Sequence, residues 1–149
     1  MIACAAADPG GLEARALVAE LDAALAAITG DSGASSFDAA DVRGAGAAFL
    51  VARAADGQPC GCGALRPLAP GVAELKRMYA RPGSGAGRAL LAALEAQAVT
   101  LGYREIRLST RRVNARAVGF YLRHGYAPID AYGRYAGREV SICLGKRVG

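Results

Sequence analysis

The residues best suited to chemistry in this 149-residue sequence are a glycine-rich stretch, residues 83–87, and the arginine that follows it, Arg88. Three alternating glycines allow positive φ angles and a close approach of the backbone to a ligand. Apolar residues at helical spacing begin directly afterwards, so the stretch would lie at a helix N-terminus. Unpaired N–H groups and the helix dipole favour an anion there, and phosphate is the usual one. Arg88 opposes the dipole but is well placed to meet a phosphate.

Three kinds of phosphate site compete for residues 83–87. A P-loop needs lysine followed by serine or threonine after its last glycine, whereas Arg88 and Ala89 stand there. A dinucleotide fingerprint, Gly-x-Gly-x-x-Gly, would place Arg88 at its sixth position when counted from Gly83. Arginine there would prevent close packing of the helix on a strand. The remaining candidate of the three is a site for the diphosphate of coenzyme A.

This part of the chain resembles the central motif of the GCN5-related N-acetyltransferases (GNAT), in which a strand, a Gly-x-Gly-x-Gly/Ala loop and a helix hold acetyl-CoA. Glu-Leu-Lys-Arg-Met-Tyr before the loop and Gly-Arg-Ala-Leu-Leu after it carry the resemblance. The resemblance covers most of the chain and implies an enzyme that moves an acetyl group from acetyl-CoA to an amine, without a metal. The residues that it assigns to the cofactor are Met78, Tyr79, Ala80, Gly83, Ser84, Gly85, Ala86, Gly87, Arg88 and Asn114.

Glu74 is the candidate general base. It lies four residues before Met78, and in the histone-acetylating relatives a glutamate at this offset has that role. A carboxylate can take the proton of an attacking amine, directly or through water, if its pKa is raised towards the working pH. The alternative is that Glu74 pairs with Lys76, Arg77 or Arg66. Strand alternation predicts one shared face for Glu74, Lys76 and Met78.

The main chain around Met78 has two expected roles under the resemblance. The groups of Met78 and Ala80 would continue sheet-like bonding onto the pantetheine arm, and an N–H near Met78 would steady the thioester oxygen as it becomes an oxyanion. The alternative is that both residues simply pair with the next strand, which would leave no room for a cofactor.

A second segment, Asn114-Ala-Arg-Ala-Val-Gly-Phe-Tyr-Leu-Arg-His-Gly-Tyr, resembles the family's second signature. Asn114 is a natural helix N-cap, and in the family this asparagine commonly bonds the cofactor arm. The matching Tyr121 would protonate the departing thiolate, because a phenol is a hydrogen-bond donor at neutral pH. The alternative for Tyr121 is a packing role, and Tyr126 is predicted to belong to the core.

One feature departs from the family pattern. Family members usually have Gln or Arg directly before the first loop glycine, whereas this chain has Pro82, and the loop is about three residues shorter. A shorter loop would hold the diphosphate less fully, and Arg81 and Arg88 are the residues that could compensate. A CoA-binding module without efficient catalysis is therefore the alternative function.

The acceptor side is marked by two loops. In the resembled family, residues 31–46 border the acceptor site. The loop with Tyr132 and Tyr135, followed by Ser-x-Cys-x-x-Lys, resembles a bacterial subgroup of the family. These two tyrosines either line the acceptor pocket or pack as structural aromatics. The expected acceptor is a primary amine of a small molecule or peptide.

The elements that position these residues follow from apolar periodicity and turn signals. Helices are predicted from Asp8-Pro9 to Thr29, from the glycine loop to Gly102 and over residues 114–124. Strands are predicted at residues 2–6, 47–54, 59–67, 72–80, 105–110, 126–129 and 140–146. The predicted fold class is α/β (α+β), a mixed, mostly antiparallel central sheet of about six to seven strands flanked by helices. The resemblance implies the acyl-CoA N-acyltransferase fold, in a single domain over residues 1–149.

The net charge of +5 is unevenly distributed. Residues 1–71 carry 4 Arg against 8 Asp and Glu, whereas residues 72–149 carry 14 Lys and Arg against 5 Asp and Glu. The positive half contains the glycine loop, as expected for a protein that binds a polyanionic cofactor. The alternative of a nucleic-acid-binding domain is less favoured, because no aromatic-rich stacking motif accompanies the arginines.

Cysteine and histidine usage does not favour a metal site. Cys60 and Cys62 are not spaced as Cys-x-x-Cys and are predicted, with Cys4 and Cys143, to be reduced thiols, the first two on one strand face. His124 is predicted to interact with helix-terminal carbonyls. The N-terminus lacks a basic region and no run reaches a membrane span, so a cytoplasmic protein is expected. A homodimer through the C-terminal strands is a further family-level expectation.

Overall fold

The computed structural model describes residues 1–149, with the exception of the side chain of Ser36. The strands are β1 (Ala3–Ala6), β2 (Ala48–Arg53), β3 (Pro59–Ala69), β4 (Val72–Ala80), β5 (Glu105–Arg111), β6 (Ala127–Ile129) and β7 (Ser141–Arg147). They form one sheet in the order β1-β2-β3-β4-β5-β7-β6, antiparallel throughout except for β4 and β5. The helices are α1 (Leu12–Thr29), α2 (Ala86–Thr100) and α3 (Ala115–Arg123). This arrangement confirms the predicted fold class.

The helices cover both faces of the sheet. Helix α2 lies on one face, where Leu90, Leu94 and Ala98 are buried at the positions that helical spacing predicts. Helix α1 lies on the other face, where Leu17 packs with Phe49 in a second cluster, the α1-side cluster. Among the described residues, no helix combines the length and the apolar character that a membrane crossing needs.

Helix α1 begins later than the Asp8-Pro9 signal predicts. Its first residue is Leu12. The carboxylate of Asp8 accepts hydrogen bonds from the amide of Gly10 at 3.1 Å and from the guanidinium of Arg43 at 2.9 Å. Glycine loses more conformational freedom in a helix than any other residue, and two glycines follow Pro9. A turn held by Asp8 is therefore favoured over an extra helical turn, and the predicted start is wrong.

Strand β4 contains a bulge at Arg77. Cys62 of β3 is opposite Tyr79, but Ala64 is opposite Lys76, so β4 has one extra residue between the two pairs. Arg77 has a φ of 53°, which is unusual for a residue other than glycine. Because the extra residue reverses the alternation, Met78 packs on the α2 side of the sheet, in the cluster that contains Leu90 and Leu94 (the α2-side cluster). Glu74 and Lys76 therefore share a face as predicted, but the prediction that Met78 lies on the same face is wrong.

The parallel strands β4 and β5 separate after a short contact. Their pairing runs only from Val72 opposite Glu105 to Glu74 opposite Arg107. Beyond this point β5 continues to pair with β7 as far as Arg111. The edge of β4 that faces β5 is consequently unpaired over residues 75–80, and a cleft opens between the two strands. The alternative in which Met78 and Ala80 pair with the next strand and leave no room for a cofactor is therefore wrong.

The two neighbouring cysteines of β3 lie on opposite faces, contrary to the prediction. Cys60 belongs to the α2-side cluster and Cys62 to the α1-side cluster. The register between β2 and β3 shifts at Arg53, next to Cys60, and this irregularity breaks the alternation. All four cysteines are free thiols, as predicted.

Candidate active site

The glycine loop joins the end of β4 to the start of α2. Gly83 and Gly85 have φ angles of 77° and 72°, and Gly85 is the N-cap of α2 in the left-handed region. The hydroxyl of Ser84 accepts from the amide of Ala86 at 3.2 Å. No described group accepts from the amides of Gly87 and Arg88. This geometry supplies free donors at a helix N-terminus, which is the arrangement that binds phosphate.

The side chain of Arg81 is not directed at these free amides. Its guanidinium donates to both carboxylate oxygens of Glu20 on α1, at 2.9 and 2.7 Å, and to the carbonyl of Pro59 at 2.8 Å. These bonds hold the pKa of Glu20 below its usual value. The expectation that Arg81 compensates for the short loop therefore lacks support, whereas Arg88 is exposed beside the free amides.

The side chain of Tyr79 also points away from the cleft. Its hydroxyl donates to Glu20 at 3.0 Å, and its ring contacts the α1-side cluster. Only the main chain of Tyr79 is thus available to a ligand between β4 and β5. By contrast, Met78 and Ala80 are partly buried against the α2-side cluster.

The cleft between β4 and β5 has a volume of about 210 Å³ and contains the second predicted catalytic residue. Tyr121 lines it together with Met78, Leu108 and Asn114. The hydroxyl of Tyr121 has no hydrogen-bond partner among the described groups, and its residue is 7% exposed. Burial raises the pKa of Tyr121, so the phenol keeps its proton at neutral pH and can donate it.

Asn114 begins α3 as the N-cap that its type predicts. Its side-chain oxygen accepts from the amide of Ala117 at 3.3 Å. The same residue lines the cleft. Capping leaves the amide N–H₂ of Asn114 available as a donor, so a contact with a cofactor is compatible with the cap and stays a prediction.

Glu74 is buried, at 2% exposure, and both of its oxygens are engaged. Oε1 accepts from Arg66 at 2.6 Å, and Oε2 accepts from the hydroxyl of Tyr132 at 2.8 Å. Lys76 lies 4.0 Å from Oε1. The pairing with Arg66 that sequence reasoning left open is therefore present, and a role as general base stays a prediction.

A second cavity of about 370 Å³ adjoins Glu74 on the α1 side of the sheet. It is lined by Tyr132 and Tyr135, which contact each other edge to face with ring centroids 5.5 Å apart. Burial raises the pKa of both phenols. The two tyrosines thus line a cavity and also pack on each other, so the two roles left open by the sequence coexist.

Sequence reasoning missed the role of Arg77. Its buried guanidinium forms an ion pair with the partly exposed Asp22 of α1, lies over the ring of Phe37 at 5.6 Å and donates to the carbonyl oxygen of Ser32 at 3.4 Å. Burial lowers the pKa of Arg77. The pair ties the bulge of β4 to α1. No sequence signal identifies it, because the partners are separated by the whole of β2 and β3.

The remaining polar residues near α3 have structural partners. Nδ1 of His124 is 2.7 Å from the carbonyl oxygen of Phe120, as the prediction of a helix-terminal contact requires. Tyr126 is 3% exposed in the core, and its hydroxyl donates to Glu95 at 2.9 Å. Both predictions are confirmed.

Comparison with known proteins agrees with this geometry. The family model described as "Acetyltransferase (GNAT) family" matches residues 16–126. A curated relative, the "IAA acetyltransferase" of Azospirillum brasilense, is 33% identical over 102 residues. That match covers 66% of this chain and 66% of the relative, so it spans slightly less than two thirds of the relative's length.

Solved structures share the fold over the whole chain. A candidate acyl-CoA N-acyltransferase of Klebsiella pneumoniae subsp. pneumoniae is 30% identical, with a TM-score of 0.84 over 100% of this chain and 99% of that one. The PaiA N-acetyltransferase of Thermoplasma acidophilum, solved in complex with coenzyme A, is 20% identical, with a TM-score of 0.70 over 99% of each chain. The second likeness concerns the fold alone.

Proposed function

The chain belongs to the acetyltransferase (GNAT) family, and we propose that it transfers an acetyl group from acetyl-CoA to a primary amine of a small molecule or peptide. The observation that carries this proposal is the unpaired edge of β4 over residues 75–80. This edge leads into the glycine loop and the free amides of Gly87 and Arg88, and the uncommitted hydroxyl of Tyr121 belongs to the cleft that Met78 lines. An extended ligand with an anionic end fits such an edge, because it can add to the sheet as a further strand would.

Different parts of acetyl-CoA would be bound by the glycine loop, by the main chain of β4 and by Asn114. The amides of residues 83–88, with Arg88, would bind the diphosphate. The main chain of Met78 and Ala80 would bond the pantetheine arm, and Asn114 would donate to it. The bound thioester supplies an electrophilic acetyl group. The amides of Gly87 and Arg88 bond no described group, and the side chain of Arg88 is exposed, so the start of α2 fits the diphosphate of the co-substrate.

The chemistry proposed is direct attack within a ternary complex. A neutral amine attacks the thioester carbon, and the N–H of Met78 stabilises the oxygen that becomes negative. The carbon–sulfur bond then breaks, and Tyr121 gives its proton to the thiolate. Glu74 would help to remove the proton of the amine, through water in the adjoining cavity, since its own oxygens are held by Arg66 and Tyr132.

The test is acetyl-CoA-dependent release of free CoA with a panel of amines and peptides, together with calorimetry of acetyl-CoA binding. We expect micromolar to submillimolar binding and amine-dependent turnover. Acetyl-CoA incubated without an amine is the control for hydrolysis. Failure of acetyl-CoA to bind at millimolar concentration would contradict the proposal.

A second function is favoured by one observation, the short loop. Only residues 81–85 separate β4 from α2, and Pro82 contributes no amide to a phosphate. A module that binds CoA without efficient catalysis would show calorimetric binding with no turnover on any amine of the panel. The same pair of measurements therefore separates the two functions.

A further inference from the structure

The loop between β6 and β7 closes the acceptor side of the cleft. Tyr132 donates to Glu74 at 2.8 Å, and Arg134 donates to the carbonyl of Ser35 at 3.4 Å. Glu74 lies on the α1 face of the sheet. Its cross-strand partner Arg66 is two residues from Ala64, which belongs to the α1-side cluster, and residues two apart in a strand share a face. The free amides of the α2 N-terminus belong to the opposite face. Charges on this loop are therefore placed for the acceptor, across the sheet from the diphosphate site.

Most cations around the cleft are already neutralised. Arg111 pairs with Asp31 at 2.9 Å. Arg66 pairs with Glu74, and Arg77 with Asp22. These guanidinium groups have carboxylate partners within the protein and carry little unmatched charge into the cleft.

Two arginines of the loop are different. Arg134 and Arg138 both line the cleft, and neither contacts a carboxylate among the described residues. Both are exposed. Two guanidinium groups at one opening form a positive patch, which raises the local concentration of anions. A guanidinium binds a carboxylate through two parallel hydrogen bonds, which makes it selective for that group.

The second cavity also has acidic residues in its wall. Asp38 and Asp41 line the second cavity with Tyr132 and Tyr135, and Asp38 also caps a short 3₁₀ helix through the amide of Ala40. The opening thus presents negative charge near residues 38–41 and positive charge near residues 134–138. An ammonium alone would be attracted to the first and repelled by the second, whereas a molecule with both charges matches both.

Resting on the acetyl transfer proposed above, we propose that the acceptor is an amine that also carries a carboxylate, of the amino-acid class, with that carboxylate bound by Arg134 and Arg138. The aromatic rings of Tyr132 and Tyr135 form the wall beside the body of the acceptor. The second cavity, of about 370 Å³, suits a single small molecule.

The test compares matched acceptors that differ only in the acid. Phenylalanine, phenylalaninamide and phenethylamine share one side chain and one amine, and two further amino acids are tested with their amides. We expect kcat/KM for the acid to exceed that for the amide by about tenfold or more, as one charge-assisted interaction implies. This preference is opposite to intrinsic reactivity, because the amine of the amide is less basic and is more often neutral at pH 7.

The variants Arg134→Gln and Arg138→Gln should reduce the acid-to-amide ratio of kcat/KM towards one, mainly by raising KM for the acid. Arg15→Gln, an exposed arginine on α1 outside both cavities, is the matched control and should keep the ratio. An equal or higher kcat/KM for the amide in the wild-type protein overturns the inference while leaving acetyl transfer intact.

Calorimetry of the same acceptors with the CoA-bound protein makes the inference independent of turnover. If the acid binds more tightly than the amide, and Arg138→Gln abolishes this difference, the inference is supported even when no acceptor is acetylated. Absence of acetylation in that case would contradict the proposed function alone. Absence of turnover together with equal or undetectable binding of acid and amide overturns both.

Discussion

Glu74 combines the features of a catalytic carboxylate with those of a structural one. It is buried beside the acceptor cavity, yet Arg66 and Tyr132 each donate to one of its oxygens. Each carboxylate oxygen has a second lone-pair position, so a water molecule in the cavity can still bond Glu74. The two roles can be separated by removing the carboxylate or by removing only one of its donors.

We predict that Glu74→Gln lowers kcat by about 100-fold or more, because general bases commonly contribute that much. Tyr132→Phe keeps the carboxylate and removes one hydrogen bond, which should cost only about 1 kcal/mol of stability and leave most of kcat. Steady-state kinetics and urea denaturation of both variants provide the comparison. Similar small losses of kcat in the two variants would assign Glu74 to structure alone.

Tyr121 is predicted to donate the proton that the thiolate takes. Tyr121→Phe should lower kcat by about 100-fold with the Kd of acetyl-CoA unchanged, since the ring stays in place. Because burial raises the pKa of Tyr121, the phenol remains protonated in the wild type, and this residue should cause no alkaline loss of kcat up to about pH 10.

Tyr126→Phe is the matched control for that experiment. Its ring lies 5.5 Å from the ring of Tyr121, but its hydroxyl donates to Glu95 rather than facing the cleft. We expect it to lose about 1 to 2 kcal/mol of stability and to keep kcat. If kcat of Tyr121→Phe also matches the wild type over the pH range, Tyr121 has no part in proton transfer.

At the scale of elements, the loop before α2 depends on the left-handed backbone of Gly85. An alanine there is strained by about 1 to 2 kcal/mol, and we expect relief of this strain to turn the amides that follow. We predict that Gly85→Ala raises the Kd of acetyl-CoA by about tenfold. Gly102, at the other end of α2, also has a positive φ and open space around it.

Gly102→Ala should therefore show a similar loss of stability with acetyl-CoA affinity intact. Thermal unfolding and calorimetry of the two variants give the comparison. Equal affinities in both variants would mean that the amides beside Gly85 do not bind the diphosphate.

The bulge of β4 depends on the ion pair between Arg77 and Asp22. Asp22→Asn leaves the guanidinium buried without a carboxylate. Loss of one partner of a fully buried pair costs about 3 to 5 kcal/mol, and we expect about 2 kcal/mol here because the side chain of Asp22 is 32% exposed. kcat should fall as well, since the bulge sets the direction of the main chain at Met78.

Glu13→Gln is the control, because Glu13 pairs with Arg53 at the surface and such pairs contribute at most about 1 kcal/mol. Urea denaturation measures both variants. A loss of stability in Asp22→Asn no greater than in Glu13→Gln would show that the pair does not hold the bulge.

The whole molecule should lose stability in alkali. Burial raises the pKa of the Cys62 thiol from 9.0 to about 12. The folded state therefore keeps this proton when the unfolded state has lost it, and the free energy of unfolding falls as the pH rises above about 9. By pH 10 this thiol alone should account for about 1.4 kcal/mol. The buried phenols of Tyr126 and Tyr132 add to the loss at higher pH.

Urea denaturation at pH 7 to 10 under reducing conditions tests this effect. Cys62→Ala should lower stability at every pH but weaken the fall between pH 8 and 10. Cys4→Ala, at a partly buried thiol, should change the fall less. Identical pH profiles for wild type and Cys62→Ala would contradict the prediction.

The sequence by itself determined the order and approximate position of the helices and strands, and the candidate residues of the site. Apolar periodicity located the helices and strands, and the alternating glycines located the loop at the start of α2 where we propose that the diphosphate binds. These features depend on residues close together in the chain, where backbone conformation and helix-end geometry are decided locally.

Only the tertiary structure decided which side chains meet. The bulge at Arg77 arises from the register between two strands, so alternation could not place Met78. Arg81 is drawn to Glu20 rather than to the loop, and Glu74 is held by Tyr132 across 58 positions of the chain. Such contacts depend on how the sheet pairs and where each helix packs, because burial and charge pairing between distant residues are properties of the assembled core.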